Sequence, residues 1–219
     1  MASIPYIDIH THQVDSDPEI LSIINMTIGE SKIELNKDQA YSIGIHPWDI
    51  EKIEIDSIDN YLEVLSADKN NIAIGEIGLD KLIGTDISIQ EKVFIAQLQL
   101  AKLKQKPVII HCVKSQEELL RIKQGNETGT EWIFHGYNKS LQLAKDLLKF
   151  GFFLSFGESL LRNEKLQNVF REIPLDKIFL ETDDKHINIR EIYQKAAELQ
   201  GVDIEILKKQ ILLNYLKCF

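Results

Sequence analysis

The chain sets two imidazoles two residues apart in Tyr-Ile-Asp-Ile-His-Thr-His, residues 6 to 12. Side chains alternate across a strand, so in an extended stretch Asp8, His10 and His12 share one face while Ile7 and Ile9 take the other. Two imidazoles so placed can hold one divalent ion with little backbone distortion, because neutral imidazole is a good ligand for zinc, manganese or iron. The same pair also suits a hydrogen-bonded or surface role, and the rest of the chain decides between the two. Of the six histidines, five (His10, His12, His46, His111 and His135) stand at the ends of short apolar runs. Two carboxylates, Glu76 and Asp183, stand at similar places. Gathering so many ionisable groups in one buried region is unfavourable unless something offsets their desolvation. Bound metal ions do that.

Short β-branched runs recur at 5–9, 22–28, 41–45, 72–76, 107–111, 131–135, 152–156 and 177–181. Helical spacing appears in Gln90 to Lys104, with Val93, Phe94, Gln97, Leu98, Leu100 and Ala101 on a stripe and Pro107 just beyond. Ser140 to Phe150 repeats it with Leu141, Ala144, Leu147 and Leu148, and Gly151 follows as a stop. Residues 189–199 and 203–217 read as two more helices. Alternating strands and helices predict the α/β class with a parallel sheet, and eight strands predict a closed (β/α)8 barrel. Active sites of such barrels lie at the C-terminal ends of the strands. That is where His10 and His12 close the first strand, His46 the third, Glu76 the fourth, His111 the fifth and His135 the sixth, with Asp183 just after the eighth. The first third departs from the plan. Gln13 to Leu21, with Pro18 inside it, and Gly29 to Ala40 are too short and polar for full helices. The first one or two outer helices are therefore expected to be reduced or missing, and apolar residues among Ile20 to Ile28 and Ile43 to Ile45 would need another cover.

At 219 residues, with no Pro/Gly/Ser-rich spacer and no repeat, residues 1–219 read as a single domain. No apolar run is long enough to cross a bilayer, and the first residues lack the basic flank and apolar core of a signal peptide. Cys112 and Cys218 are too few for a disulfide framework and read as reduced thiols, so a soluble cytoplasmic protein is expected. A net charge of −9 argues against a broad basic surface. Any nucleic acid must then be held locally.

Taken in chain order, the H-x-H pair, Gly-Ile-His-Pro (44–47), Gly-Glu-Ile-Gly-Leu-Asp (75–80), Ile-His (110–111), Phe-His-Gly-Tyr (134–137), Ser-Phe-Gly (155–157) and Leu-Glu-Thr-Asp (180–183) resemble the TatD family of metal-dependent DNases, which belongs to the amidohydrolase-like barrels. The likeness runs from Tyr6 to the closing Asn-Tyr-Leu-Lys-Cys-Phe. It implies two divalent ions, zinc, manganese or magnesium. His10, His12 and Asp183 would hold one, Glu76 would bridge both, and His111 and His135 would complete the second site. A bridging carboxylate suits two ions about 3.5–4 Å apart, the separation used for displacement at phosphorus. In that scheme Glu76 and Asp183 are the catalytic carboxylates, and Asp183 takes the proton of a water acidified by the ions.

The chain also departs from the family pattern. Lys114 stands where an arginine usually follows the fifth-strand histidine, and a lysine is a point charge without the bidentate fork. His-Gly-Tyr-Asn-Lys replaces H-C-F-S-G, and the segment after Leu-Glu-Thr-Asp reads Asp-Lys-His-Ile-Asn instead of a proline-containing loop. His46 matches a position that faces substrate in the family, with a phosphate contact and a hydrogen bond to a ligand as its two candidate roles. Lys114 and Lys139 are candidates for a phosphate contact or for ordinary surface lysines. Trp48 suits either stacking at the pocket mouth or packing, and Asp8 either orients a histidine or caps a buried polar cluster. His186 reads as exposed. Three functions follow: a hydrolase of DNA phosphodiester bonds acting on strand ends, a hydrolase of a small amide, ester or phosphoester, and a metal-binding scaffold without turnover.

Overall fold

The structure, a computed structural model, describes residues 3–27, 35, 38–54, 58, 68–126 and 129–219. The predicted strands are all there: β1 (Tyr6–Thr11), β2 (Ile20–Thr27), β3 (Tyr41–Gly44), β4 (Asn71–Asp80), β5 (Val108–Val113), β6 (Trp132–Phe134), β7 (Phe153–Phe156) and β8 (Ile178–Leu180). They form one eight-stranded sheet in the order β1 to β8. An isolated parallel bridge between Thr11 and Asp183 carries the chain after β8 back to β1. This sequential parallel order, closed from last to first, is that of the (β/α)8 barrel class. Among the described residues the named α-helices are α1 (Ile87–Lys104), α2 (Gln116–Gly125), α3 (Leu141–Lys149), α4 (Ser159–Arg162), α5 (Glu164–Arg171), α6 (Ile189–Gln200) and α7 (Ile204–Cys218). The connection from β1 to β2 holds no helix, as its polar, Pro-containing sequence predicts. The second short connection lies largely outside the described residues, as does Ile28.

The chain forms two compact units, residues 1–24 with 135–219 and residues 25–134. In the first, α6 stands behind β1. Tyr193 of α6 is buried, and its hydroxyl accepts from the Ile7 N–H at 2.9 Å and donates to the Ile7 carbonyl at 3.1 Å. Arg190 on the same helix pairs with Asp17 and Glu19, each at 2.7 Å, which pins the helix-less connection against it. Its guanidinium lies 5.0 Å from the Tyr6 ring. Ile23 and Ile24 of β2 are buried, while Ile20 and Leu21 are only partly covered. The aromatic core of this unit joins Phe153 to Phe179 at 5.3 Å and Phe156 to Phe170 at 4.8 Å between ring centroids. Asn214 of α7 donates to the carbonyls of Leu175 and Ile178, both at 2.8 Å, and so fixes the entry to β8.

In the second unit α1 is capped by Asp86, whose carboxylate accepts from the Ser88 N–H at 2.8 Å. Its buried face carries two glutamines among the apolar residues. Gln97 accepts from the Ile45 N–H at 2.6 Å and donates to the Ile45 carbonyl at 3.1 Å. Gln90 treats Asp80 the same way, at 2.8 and 2.9 Å. Two turns of one helix thus hold the backbone at the ends of β3 and β4. Strand β4 runs four residues past the predicted run, to Asp80. Gly78 permits this: its φ is 149°, and a Cβ there would collide with the backbone of His111 on β5.

Tyr193→Phe strands both backbone groups of Ile7 in a buried strand and should destabilise the protein by about 1–3 kcal/mol. The check is a lower urea midpoint at unchanged m-value.

Candidate metal centre

In the first unit the residues around Asp183 are placed by backbone. The Asp183 N–H donates to the His10 carbonyl at 2.9 Å, and the His12 N–H donates to the Asp183 carbonyl at 3.1 Å. This register sets the Asp183 side chain against both histidines of the H-x-H pair. Asp183 Oδ1 lies 3.5 Å from His10 Nε2 and 3.7 Å from His12 Nε2. Asp183 itself takes a left-handed φ of 55°, a conformation that aspartate tolerates better than most residues. The residue before it is anchored in turn: Thr182 donates its N–H to Asp8 Oδ1 at 3.1 Å and its hydroxyl to Asp8 Oδ2 at 2.6 Å. Of its two candidate roles, Asp8 therefore fills the second. Burial pushes its carboxyl up to about 7, against the pull of the two Thr182 bonds.

His135, just after β6, brings its ring to 4.5 Å from that of His10. Its Nδ1 lies 3.3 Å from Glu181 Oε1, and that oxygen also accepts from the Gly136 N–H at 2.6 Å. Glu181 is completely buried. It escaped the sequence reading although period-two alternation puts it on the face of Asp183. Donor atoms of His10, His135 and Asp183 all lie within 4.8 Å of one another. Metal–ligand bonds of about 2.0–2.2 Å in a tetrahedral site place donor atoms roughly 3.3–3.6 Å apart. The 3.5 Å separation between His10 and Asp183 falls within that span and suits shared ligation of one ion, while the 3.7 Å separation from His12 lies just beyond it. The donor set fits a divalent metal. Beside Asp183 opens a cavity of about 150 Å³ lined by Asn138, Glu158 and Lys185, which belong in part to the segments that depart from the family pattern.

The second unit holds another donor group, His46, Glu76 and His111. Asn25, buried, accepts from the Glu76 N–H at 2.9 Å and from the Ser42 hydroxyl at 3.3 Å. His46 Nδ1 accepts from the Trp48 N–H at 3.2 Å, which turns Nε2 toward Glu76 Oε1 at 3.5 Å. His111 is flanked by carboxylates, with Nδ1 2.6 Å from Glu76 Oε1 and Nε2 3.4 Å from Asp80 Oδ2. The 2.6 Å pair is a hydrogen bond that orients the ring, while the 3.5 Å separation suits common ligation. Burial alone would raise the Asp80 carboxyl, yet hydrogen bonds from the Trp48 indole, the Leu82 N–H and His111 hold it below the usual carboxylate range. Asp80 also escaped the sequence reading, although Glu76, Gly78 and Asp80 alternate along β4.

Of the six expected ligands, the first unit thus holds His10, His12, His135 and Asp183, and the second Glu76 and His111. His46, expected to face substrate, joins the second group. Lys114 is exposed at a left-handed position just after β5, with φ 53°, and Lys139 is partly exposed just before α3. His186 is exposed and lies 3.1 Å from Gln13 Oε1 through Nδ1. No helix among the described residues is long and apolar enough to cross a membrane.

A family model described as TatD related DNase matches residues 22–219. The chain is 29% identical over 202 residues to the uncharacterized metal-dependent hydrolase YcfH of Escherichia coli strain K12, covering 82% of this chain and 73% of that protein. It is 27% identical to the putative deoxyribonuclease tatdn3 of Danio rerio, covering 98% and 97%. Against the deoxyribonuclease TATDN3 of Homo sapiens it is 28% identical, covering 80% and 70%. The fold superposes on the crystal structure of YJJV, a TatD homolog from Escherichia coli K12, with a TM-score of 0.83 at 23% sequence identity, over 99% of this chain and 98% of that one. With the family match spanning nearly the whole chain, and with histidines and carboxylates set for metal at its strand ends, this protein belongs to the TatD-related DNases, a family of metal-dependent hydrolases.

Proposed function

We propose that this chain hydrolyses phosphodiester bonds of DNA with two divalent ions, zinc, manganese or magnesium, held by His10, His12, Glu76, His111, His135 and Asp183. The observation that carries the reading is the placing of His10 and His12 Nε2 at 3.5 and 3.7 Å from one oxygen of Asp183. The named deoxyribonuclease relatives support the choice of substrate. Bound divalent ions acidify a water and draw charge from a phosphate. The chain's residues do the rest. Asp183, partly open to solvent, accepts the proton of the attacking water, while the backbone bridge to His10 and His12 keeps its carboxylate in place. Glu181 Oε1 lies 3.3 Å from His135 Nδ1 on the buried side. His111 is oriented by Glu76 and Asp80, and the family resemblance gives Glu76 the bridging role.

Lys114 and Lys139 then meet the phosphate, while His46, which the family resemblance would turn to substrate, stands with Glu76 and His111. With a net charge of −9 the chain has no long-range field to attract DNA, so attraction must come from the ions and from single lysines. A cytoplasmic place accords with two cysteines that are not joined to each other. The small cavity beside Asp183 and the acidic charge favour a second reading, hydrolysis of a small phosphoester, ester or amide.

Manganese-loaded protein offered single-stranded DNA, a small phosphodiester, a carboxylic ester and an amide separates the readings. Cleavage of DNA supports the proposal. Activity confined to small substrates supports the second reading, and silence on all of them with metal bound leaves the scaffold.

Two predictions follow from these roles. Asp183→Asn keeps the shape but cannot take the proton, so kcat should fall by about 10²–10⁴ with manganese saturating, as measured by initial rates. Lys114→Ala should leave kcat near its original value and raise KM for DNA about fivefold, an effect that shrinks as salt is added.

A further inference from the structure

Trp48 exposes 62% of its surface although Pro47 and Asp49 on either side are buried. An exposed indole is ordinarily a mobile, weakly held group, but this one is fixed at several points. Its Nε1–H donates to Asp80 Oδ2 at 2.8 Å, and its backbone N–H donates to His46 Nδ1 at 3.2 Å. Asp80 is itself anchored, with Oδ1 accepting from the Leu82 N–H at 2.8 Å and its backbone N–H and carbonyl bonded by Gln90. The ring stands edge-on to His46, 4.9 Å between centroids, and 6.1 Å from His111. Packing into the core, one of the two roles open to it from sequence, does not account for this placement.

We propose that Trp48 is a stacking platform for the nucleobase next to the scissile phosphate, and so a specificity residue for base-bearing substrates; this rests on the DNA reading above. Several features of the chemistry agree. Every base offers a π-face, and stacking on an aromatic side chain binds single-stranded nucleic acid without a preferred sequence. A ring locked by a charge-assisted hydrogen bond loses little entropy when a base settles on it. The platform adjoins His46 and His111, two of the three donor residues of its unit, so a base stacked on it would sit one nucleotide's reach from a phosphate held there. An acidic chain that cannot gather DNA by its overall charge gains from a contact that needs none.

The decisive comparison uses Trp48→Ala and Trp48→Phe. Both lose the bond to Asp80, and only Ala loses the aromatic face. With manganese-loaded protein, Trp48→Ala should raise KM about tenfold more for a short single-stranded oligonucleotide than for the same oligonucleotide made abasic at its terminal residues. Trp48→Phe should recover most of that difference. If the two variants behave alike, or if abasic and base-bearing substrates suffer equally, the indole merely supports Asp80 and the proposal falls.

Fluorescence gives an independent readout. The chain has two tryptophans, and the other, Trp132, is buried. Deoxyadenosine monophosphate should quench the exposed tryptophan's emission, deoxyribose 5-phosphate should not, and Trp48→Phe should abolish the response. Equal quenching by both compounds, or none by either, overturns the stacking role. Base-dependent quenching in a protein that cleaves no DNA keeps the platform while rejecting the DNase reading.

Discussion

The short parallel bridge between the end of β1 and the residue after β8 is the contact on which the first donor group depends. Two backbone hydrogen bonds, Asp183 to His10 and His12 to Asp183, place a carboxylate between histidines that alternation has already put on one face. Nothing about the side chains alone would bring residue 183 to residues 10 and 12. Closure of the strand order does so, and it makes the geometry as rigid as the sheet. The polar cluster of Asp8, Thr11 and Thr182 reinforces the same seam, with Thr182 bonding Asp8 through both its N–H and its hydroxyl. Tyr193 supports it from outside by satisfying both backbone groups of Ile7.

The second unit solves a similar problem by different means. Its strand ends carry charged or ionisable side chains, and neutral amides hold their backbones. Gln97 fixes Ile45, the residue before His46, and Gln90 fixes Asp80, while Asn25 receives the Glu76 N–H. An amide can donate and accept at once, so one side chain satisfies both backbone groups of a residue without adding charge to a site already rich in carboxylates. Glutamine on the buried face of α1 would be a fault in an ordinary helix. Here it is what lets a helix grip the ends of strands, where the ladder of sheet bonds runs out.

Much of this was legible in the residues. All eight strands and four of the helices follow from β-branched runs and helical periodicity, and the candidate ligands follow from histidines and carboxylates at strand ends. What escaped did so for identifiable reasons. The extension of β4 to Asp80 is masked by Gly75 and Gly78, which read as breaks but serve close approach to β5. Helix α5 presents only a short stripe of Leu166, Val169 and Phe170, although its cap Asn163 was a usable signal. Glu181 and Asp80 carry no spacing signal of their own, standing two residues before Asp183 and four after Glu76. Both turned out to flank histidines, Glu181 beside His135 and Asp80 beside His111. The assignment of His46 to a donor group needed the geometry of its two ring nitrogens, which no spacing rule supplies.

The departures from the family pattern fall where they disturb recognition more than metal holding. The donor residues lie on strands or within three residues of one, where the sheet constrains them. Lys114, Asn138 and Lys185 lie in the turns beyond, and two of the three line the cavity beside Asp183. Turns tolerate substitution because few backbone bonds depend on their side chains. Replacing an arginine by Lys114 keeps the positive charge but gives up the planar fork that would fix a phosphate in one orientation. Orientation must then come from elsewhere. On the stacking role proposed for Trp48, a rigid ring at the rim would constrain a base by its face, as a guanidinium constrains a phosphate by its fork, in a chain whose net charge works against holding a polyanion by field alone.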